Sequence, residues 1–330
     1  MRHLAEEGVS VELFAAQNLF YSYNDSLINK VKLRAGIAGI YKSINEKLRA
    51  RILDLRPDVV WIFKGMEIMP ETIGWMREKG ILVVNYNPDN PFIFSGRGSG
   101  NKYVTRSIPL FDLHFTYNLE VKKKLEEQLH LRTALLPFGF ELTEEVLHMA
   151  SEEKEIKRVC FLGNPDSQRA VFIKALLDAG ISIDLYGNDW GKFITQHPFL
   201  QSFPAVYGDD FWKVLRRYRV QLNLMRVHNE DSHNMRSFEV PGVGGIMLAP
   251  ATTEHHLFFR DGEEVSLFDS VNDGIRKAKS LLELDMEAAG RMRYMARKRS
   301  LESGYTYQQR TKFALQEIRN LYAQTSHSSL

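Results

Sequence analysis

Short apolar runs alternate with amphipathic stretches along the whole of this chain, and the pattern runs through once and then starts again near residue 158. Runs of strand length separated by helical periodicity imply βαβ units built on parallel sheets. In the first pass the pattern predicts strands over 9–14, 58–63, 81–86, 112–116 and 133–136. Helical periodicity covers 27–55, 71–79 and 119–129. The second pass predicts strands over 158–162, 181–186, 220–224 and 245–249, with helices over 169–179, 211–217 and from 275 to about 322. The charged segment 141–157 carries no strand signal and reads as a helical bridge. The expectation is an α/β protein with domains at 1–145 and 146–310. A helix over 311–330 returns to the first domain and ends in a disordered tail. A doubly wound domain ordinarily opens with a buried strand and a tight glycine turn. Here residues 1–8 read as the end of a helix stopped by Gly8, so the first strand is expected to be missing or the chain to begin late.

Charge narrows the partners. Lys and Arg number 43 against 41 Asp and Glu, a net +2, which provides no field suited to nucleic acid. With 44% hydrophobic residues in 330, two packed cores are well supplied. The single cysteine, Cys160, excludes a disulfide framework and a cysteine-rich zinc module. Lying between Val159 and Phe161 in an expected strand, it reads as core packing. No apolar stretch reaches the roughly 18 residues of a membrane span, and no secretory h-region opens the chain, so a soluble cytoplasmic protein is expected. The basic stretch 291–299 (RMRYMARKR) is the one feature suited to peripheral contact with anionic lipid at the inner membrane face, although such runs are usually solvated helix faces.

The densest concentration of chemistry is His228–Pro250, HNEDSHNMRSFEVPGVGGIMLAP. Arg236 and Glu239 are three apart, so on a helix they share a face. Asp231, Ser232 and Asn234 precede them as N-cap residues, and Gly244-Gly245 closes the helix before the next strand. A helix start after a strand favours anions through its free N–H groups and dipole. Arginine there suits a diphosphate, and a carboxylate one turn later suits ribose hydroxyls. The competing reading of the pair is a solvated ion pair. His228, Glu230, Asp231 and His233 resemble metal ligands but lack a recognised spacing. A glycine-rich stretch, Ser95-Gly96-Arg97-Gly98-Ser99-Gly100, is followed by Lys102 and Arg106; it opens no clear helix and reads as an acceptor-side loop carrying Arg97 and Lys102. The chain has no Ser-His-Asp or His-Glu-x-x-His signature, which argues against a hydrolase.

The run Asn234-Met235-Arg236-Ser237-Phe238-Glu239, with Gly244-Gly245 and Leu248-Ala249, resembles the C-terminal domain of group 1 glycosyltransferases, in particular the CgeB-like branch. Phe161-Leu162-Gly163, Tyr186-Gly187-Asn188-Asp189-Trp190, Phe258-Phe259 with Gly262-Glu263-Glu264, and Tyr305-Thr306-Tyr307 with Arg310 fit in order. The first half fits more loosely, through Arg56-Pro57-Asp58, Asp89-Asn90-Pro91-Phe92 and Leu136-Pro137-Phe138-Gly139. The resemblance implies the GT-B architecture, two Rossmann-like domains facing across a cleft, with a nucleotide-diphosphate-sugar donor on the C-terminal one. Relatives carry a Glu-x7-Glu pair whose second Glu holds the ribose; Glu239 stands there, and Asp231, a shorter carboxylate, occupies the first position. A basic residue after the first strand of the second domain is matched by Arg169, which follows Gly163 and Asn164. Tyr186, Gly187, Asn234 and Ser237 complete the donor-side set.

Departure of the sugar leaves extra charge on a nucleoside diphosphate. Some glycosyltransferases offset it with a metal on Asp-x-Asp, a motif absent here. Arginines and a helix start are the metal-free solution, so Arg236 is the expected catalytic residue together with Asp231 of the carboxylate pair, with Arg169 in support and no cofactor. The acceptor would be a saccharide, a lipid-linked sugar or a protein. The resemblance points to retention; an inverting enzyme would need a base, for which Asp89 is the candidate, with a turn-forming role as its alternative. A nucleotide-sugar epimerase of the same fold and a non-catalytic binding module are the competing classes.

Overall fold

The computed structural model describes residues 1–35, 39–94, 98–226 and 231–327. They divide into two compact units, Met1–Pro137 with Thr311–Leu330, and Phe138–Arg310.

The first unit holds a parallel sheet of four strands, β1 Val59–Phe63, β2 Leu82–Asn87, β3 Leu113–Thr116 and β4 Thr133–Leu135, arranged in chain order. Alternate residues of β2 face opposite cores, as strand geometry requires. Val83 packs with Ile62, Leu48, Ile52, Ile73 and Met76, the last four from helices Ile40–Leu55 and Pro70–Glu78. Leu82 and Val84 pack on the other face with Ala314, Ile318 and Leu321 of the C-terminal helix, Tyr307–His327. That two-sided burial explains why β2 reads as a continuous apolar run.

Residues 9–14 form no strand. Leu13 is 65% exposed, while Phe14 touches the core from its margin; the alternating pattern had no neighbouring strand to pair with. Helices Ala16–Asn24 and Leu27–Arg34 follow, and neither buries a residue.

The second unit holds six parallel strands: β5 Ile156–Leu162, β6 Ile183–Tyr186, β7 Leu200–Phe203, β8 Tyr218–Leu222, β9 Met247–Pro250 and β10 Ser266–Phe268. Their order is β7-β6-β5-β8-β9-β10. The chain therefore moves outward from β5 to β7, crosses back to lie beside β5 as β8, and continues the other way. Strands β7 and β10 were not expected. Both are short edge strands, LQSF and SLF, with too little apolar sequence to show a period. Residues 141–157 are no bridge: Thr143 caps helix Glu144–Glu152, whose Leu147 and Ala150 join the second unit's core. Cys160 is fully buried there and its thiol is pushed up by desolvation, as a packing residue should be.

Candidate functional site

In a sheet that reverses its strand order, ligands bind beyond the carboxyl ends of the strands flanking the reversal. Here those strands are β5 and β8. Strand β5 ends at Gly163, whose N–H bonds Tyr186 O at 2.9 Å and whose carbonyl accepts from Trp190 Nε1 at 2.9 Å. A Cβ on Gly187 would stand 2.3 Å from the Gly163 oxygen, and Gly187 has φ +158°. Two of the expected donor-site glycines are thus packed backbone against backbone, which leaves room only for hydrogen at Gly187. Tyr186 stacks on Phe203 with centroids 4.7 Å apart. Its hydroxyl accepts from Arg217 at 2.9 Å and meets Tyr218 at 3.1 Å, and Tyr218 donates to Asp184. Tyr186 supports the strand end from within, its side chain committed to that chain of bonds.

Asp166 caps helix Ser167–Asp178 by accepting from Arg169 N at 2.9 Å. Arg169 is buried, and its guanidinium spans the reversal, donating to Asn164 O at 3.1 Å after β5 and to Leu224 O at 2.8 Å after β8. Burial lowers its pKa, opposed by Asp166. The side chain of Asn164 stays exposed while its carbonyl serves this tie. Arg169 is therefore a strut of the crevice as well as a cation within it.

Arg236 and Glu239 lie on helix Arg236–Gly242 and bond directly, Nη1 to Oε2, as their spacing predicts. The Arg236 guanidinium lies 4.4 Å over the Phe211 ring, and its buried Nε has no hydrogen-bond partner. Glu239 is 7% exposed; burial raises its pKa, and Arg236 opposes that rise. Glu239 Oε1 takes no hydrogen bond among the described residues. A cation seated on an aromatic face thus stands beside a largely desolvated carboxylate with one oxygen to spare.

The expected cap of this helix is not formed. Met235 occupies the N-cap position with no side-chain bond, and the helix has seven residues with Pro241 inside it. Asp231 instead accepts from Thr253 N at 2.7 Å, tying the loop to helix Thr253–Phe258. Ser232 donates to Glu254 at 2.7 Å. Asn234 Nδ2 donates to Asn223 Oδ1 at 2.8 Å. The Asp231 carboxylate, the Ser232 hydroxyl and the Asn234 Nδ2 are engaged by tertiary partners, which displaces local capping, while the buried Asn234 Oδ1 has no hydrogen-bond partner.

A buried polar relay holds that loop. Asn223, just past β8, donates to Ser237 Oγ at 3.0 Å, and Ser237 meets His255 Nε2 at 2.8 Å. His255 Nδ1 lies 2.7 Å from Pro250 O, which only accepts, so Nδ1 carries the proton and Ser237 donates to Nε2. Desolvation lowers the His255 pKa to about 4 and keeps the ring neutral. Ser237 is fully buried with its hydroxyl engaged on both sides, so in this structure it sets the position of the helix carrying Arg236. Likewise His233 accepts from Phe138 N at 3.3 Å through Nε2 and donates through Nδ1 to Glu254 at 2.5 Å. Of the metal-like cluster, His228 and Glu230 lie outside the described residues, as does Arg97 of the glycine-rich loop. Among the described residues no group of three or more His, Cys, Asp or Glu is arranged to hold a metal.

The first unit offers its own polar group. Lys64 ends β1 with φ +60°, rare outside glycine, and its Nζ reaches Asp89 at 2.5 Å and the Gly98 carbonyl. Asp89 accepts no turn bond from its neighbours; Asn87 and Asn90 make the side-chain turns there. Lys102 is exposed and opens a six-residue helix, Lys102–Ser107, capped by Asn101, so the glycine-rich stretch does lead into a helix. Lys64, Phe211, Asn223, Glu254 and His255 escaped sequence reading. Only the Lys-Gly step after β1 and the lone Asn in VQLNL offered a local signal.

Two Rossmann-like units with parallel sheets of four and six strands define the GT-B fold, the fold of a large class of glycosyltransferases. A family model described as glycosyl transferase-like matches residues 168–316, most of the second unit. Sucrose-phosphate synthase from Thermosynechococcus elongatus superposes with a TM-score of 0.61 at 11% identity, covering 86% of this chain and 78% of that one. A Listeria monocytogenes protein assigned as UDP-N-acetylglucosamine 2-epimerase gives 0.54 at 12% identity, with coverage of 86% and 80%. A mutant of S. aureus TarM in complex with fondaparinux, α-GlcNAc-glycerol and UDP gives 0.53 at 15% identity, covering 73% of this chain and 51% of that one. Comparison with the curated proteins gives no match. No helix among the described residues is long and apolar enough to cross a membrane.

Proposed function

We propose that this protein is a glycosyltransferase that takes a sugar from a nucleoside-diphosphate donor held by the second unit. The observation that carries the reading is the Arg236–Glu239 pair beyond β8, an arginine stacked on Phe211 beside a buried carboxylate with a free oxygen. In the reaction the anomeric C–O bond breaks and its electron pair stays with the diphosphate, while an acceptor hydroxyl oxygen bonds the anomeric carbon and gives up its proton to the departing diphosphate. Arg236, released from Glu239, meets that growing charge, while Glu239 accepts hydrogen bonds from the ribose hydroxyls. Arg169 adds a second positive charge at the reversal, and Gly163 and Gly187 let the backbone approach closely. Asp231, Asn234 and Ser237 position the segment that bears Arg236. The motif run Asn234–Glu239 supports the CgeB-like branch, and with it retention of configuration. We assign the reaction no metal and place it in the cytoplasm, with a saccharide, a lipid-linked sugar or a protein as acceptor.

The likeness to a structure assigned as an epimerase supports a second reading, in which the donor itself is remodelled. Incubation with a panel of nucleotide sugars, followed by mass spectrometry and NMR, separates the two. Slow release of nucleoside diphosphate and free sugar, surviving EDTA, is the expected result. A donor epimerised at C2 would transfer the assignment to the epimerase class, and a panel that neither binds nor turns over would remove both.

A further inference from the structure

The opposite end of the six-stranded sheet, where β5 and β8 begin, carries a cavity of about 500 Å³ that the proposed reaction does not use. It is bounded by helices Glu144–Glu152 and Gly208–Arg217 and by helix Met286–Glu302, which contains most of the basic stretch 291–299. That stretch is largely turned inward. Arg293 donates to the carbonyls of Arg216, Gly244 and Tyr218, Arg297 to Gly242 O at 2.6 Å, and Arg299 to Phe258 O at 2.8 Å. The segment that is a candidate for lipid contact also forms part of the wall of this cavity.

The charges around this wall do not balance. Glu155 is the carboxylate that both Arg219 and Arg293 engage, at 2.5–2.9 Å and at 3.0 Å respectively. Arg216 adds a third guanidinium, acting on Glu155 at longer range, so three cations face one anion, 3 − 1 = +2. Arg216 itself makes no side-chain hydrogen bond or ion pair among the described residues, and it is half-buried at the cavity wall. Burial and the Arg216 charge together push the Arg293 pKa down to about 10. Arg297 has only the exposed Glu144, at 3.4 Å, and Lys298 only Glu302, at 3.9 Å. Leu147, Val243 and the exposed ring of Tyr294 supply an apolar wall beside these cations.

We propose that this cavity binds a phosphomonoester, with its phosphate on the unengaged guanidinium of Arg216 and its apolar portion against Leu147, Val243 and Tyr294, while Arg293, both of whose Nη groups are held by protein acceptors, adds positive charge behind Arg216 without a direct contact. A phosphomonoester carries about −1.5 to −2 near pH 7, which matches the uncompensated charge better than a single carboxylate does. Guanidiniums bind such an anion in a forked geometry that also fixes its orientation. The same chemistry is presented by a soluble phosphorylated metabolite and by the headgroup of a phosphatidic-acid-type lipid.

The test uses calorimetry of the full chain with phenyl phosphate, and co-sedimentation with phosphatidylcholine vesicles with and without phosphatidic acid. Arg216→Glu reverses the charge of a side chain that holds nothing else. Gly290→Phe offers a second route: Gly290 lines the cavity within a helix, and an added Cβ meets no atom within 4 Å, so the ring fills the space without displacing the fold. Saturable phenyl phosphate binding that weakens about tenfold or more in both variants, with an unchanged Tm and undisturbed nucleoside-diphosphate binding, supports the site. Vesicle binding that needs phosphatidic acid and is lost in both variants also supports it and identifies the source as lipid. Absence of both kinds of binding, or binding that survives both substitutions, overturns it.

Discussion

The two sheets of this protein are built from the same strand–helix units yet concentrate polar chemistry very differently. In the second unit the strand order reverses between β5 and β8, so the loops leaving those strands part and open a crevice. Arg169 spans it by bonding one carbonyl on each side, and Asn223, Ser237 and His255 fix the helix that presents Arg236 and Glu239. In the first unit β1 to β4 follow chain order, with no reversal. Its polar residues leave the sheet one loop at a time, and Lys64 meets Asp89 only by adopting a left-handed backbone at φ +60°. In the second unit Arg169, Arg236 and Glu239 are all presented from helical backbone. In the first, Lys64 reaches Asp89 from a left-handed backbone, a local strain of about 1–2 kcal/mol.

If the comparison holds, the largest effect belongs to Arg236. Arg236→Ala should lower kcat by about 10²–10³ with a smaller change in donor KM, because the residue meets charge that develops only as the sugar leaves. Arg236→Lys should recover part of that loss. Steady-state kinetics on both variants decides the point; a raised KM with unchanged kcat would make Arg236 a ground-state ligand and pass the role to Arg169.

The next effect is shared by both units and tests whether they are equally sensitive to acid. His114 in the first and His255 in the second are each held near pKa 4 by burial. Unfolded histidine titrates near 6.5, so between about 6.5 and 4 the unfolded chain binds more protons. The contribution of each is complete above 6.5 and is lost as pH falls toward 4, at roughly 3 kcal/mol per histidine. Urea unfolding at pH 7 and pH 4.5 should show that decline. His114→Gln and His255→Gln should each flatten it, and a wild-type protein with no decline would contradict both assignments.

A smaller loss is expected at the ribose contact. Glu239→Ala removes a charged acceptor worth roughly 1.5–3 kcal/mol, which weakens nucleoside-diphosphate affinity about 10- to 150-fold by calorimetry. Unchanged affinity would return the Arg236–Glu239 pair to a structural ion pair. The smallest effect should come from the first unit. The Asp89 carboxylate, 40% exposed, is already held by Lys64, so Asp89→Asn should change kcat less than about tenfold. A loss equal to that of Arg236→Ala would make Asp89 a general base, favour inversion, and erase the contrast between the two units.

The sequence by itself determined the fold class, most strands of both sheets, and the shared helix face of Arg236 and Glu239. Each depends on periodicity or spacing within a few residues, which the backbone repeat of 2.0 or 3.6 translates directly into a face. It misread 9–14 because alternation does not reveal whether a partner strand exists, and it passed over β7 and β10 because LQSF and SLF are too short to show a period. Asp231, Ser232 and Asn234 were legible as cap formers, yet in the folded chain they bond Thr253, Glu254 and Asn223. The tertiary structure alone decided that Phe211 lies beneath Arg236, that Arg169 ties Asn164 to Leu224, and that Tyr186 faces inward. Those contacts exist because the chain reverses between β7 and β8, and the energetics of burying a polar group depend on which distant partner that reversal delivers, a quantity with no local signature in the sequence.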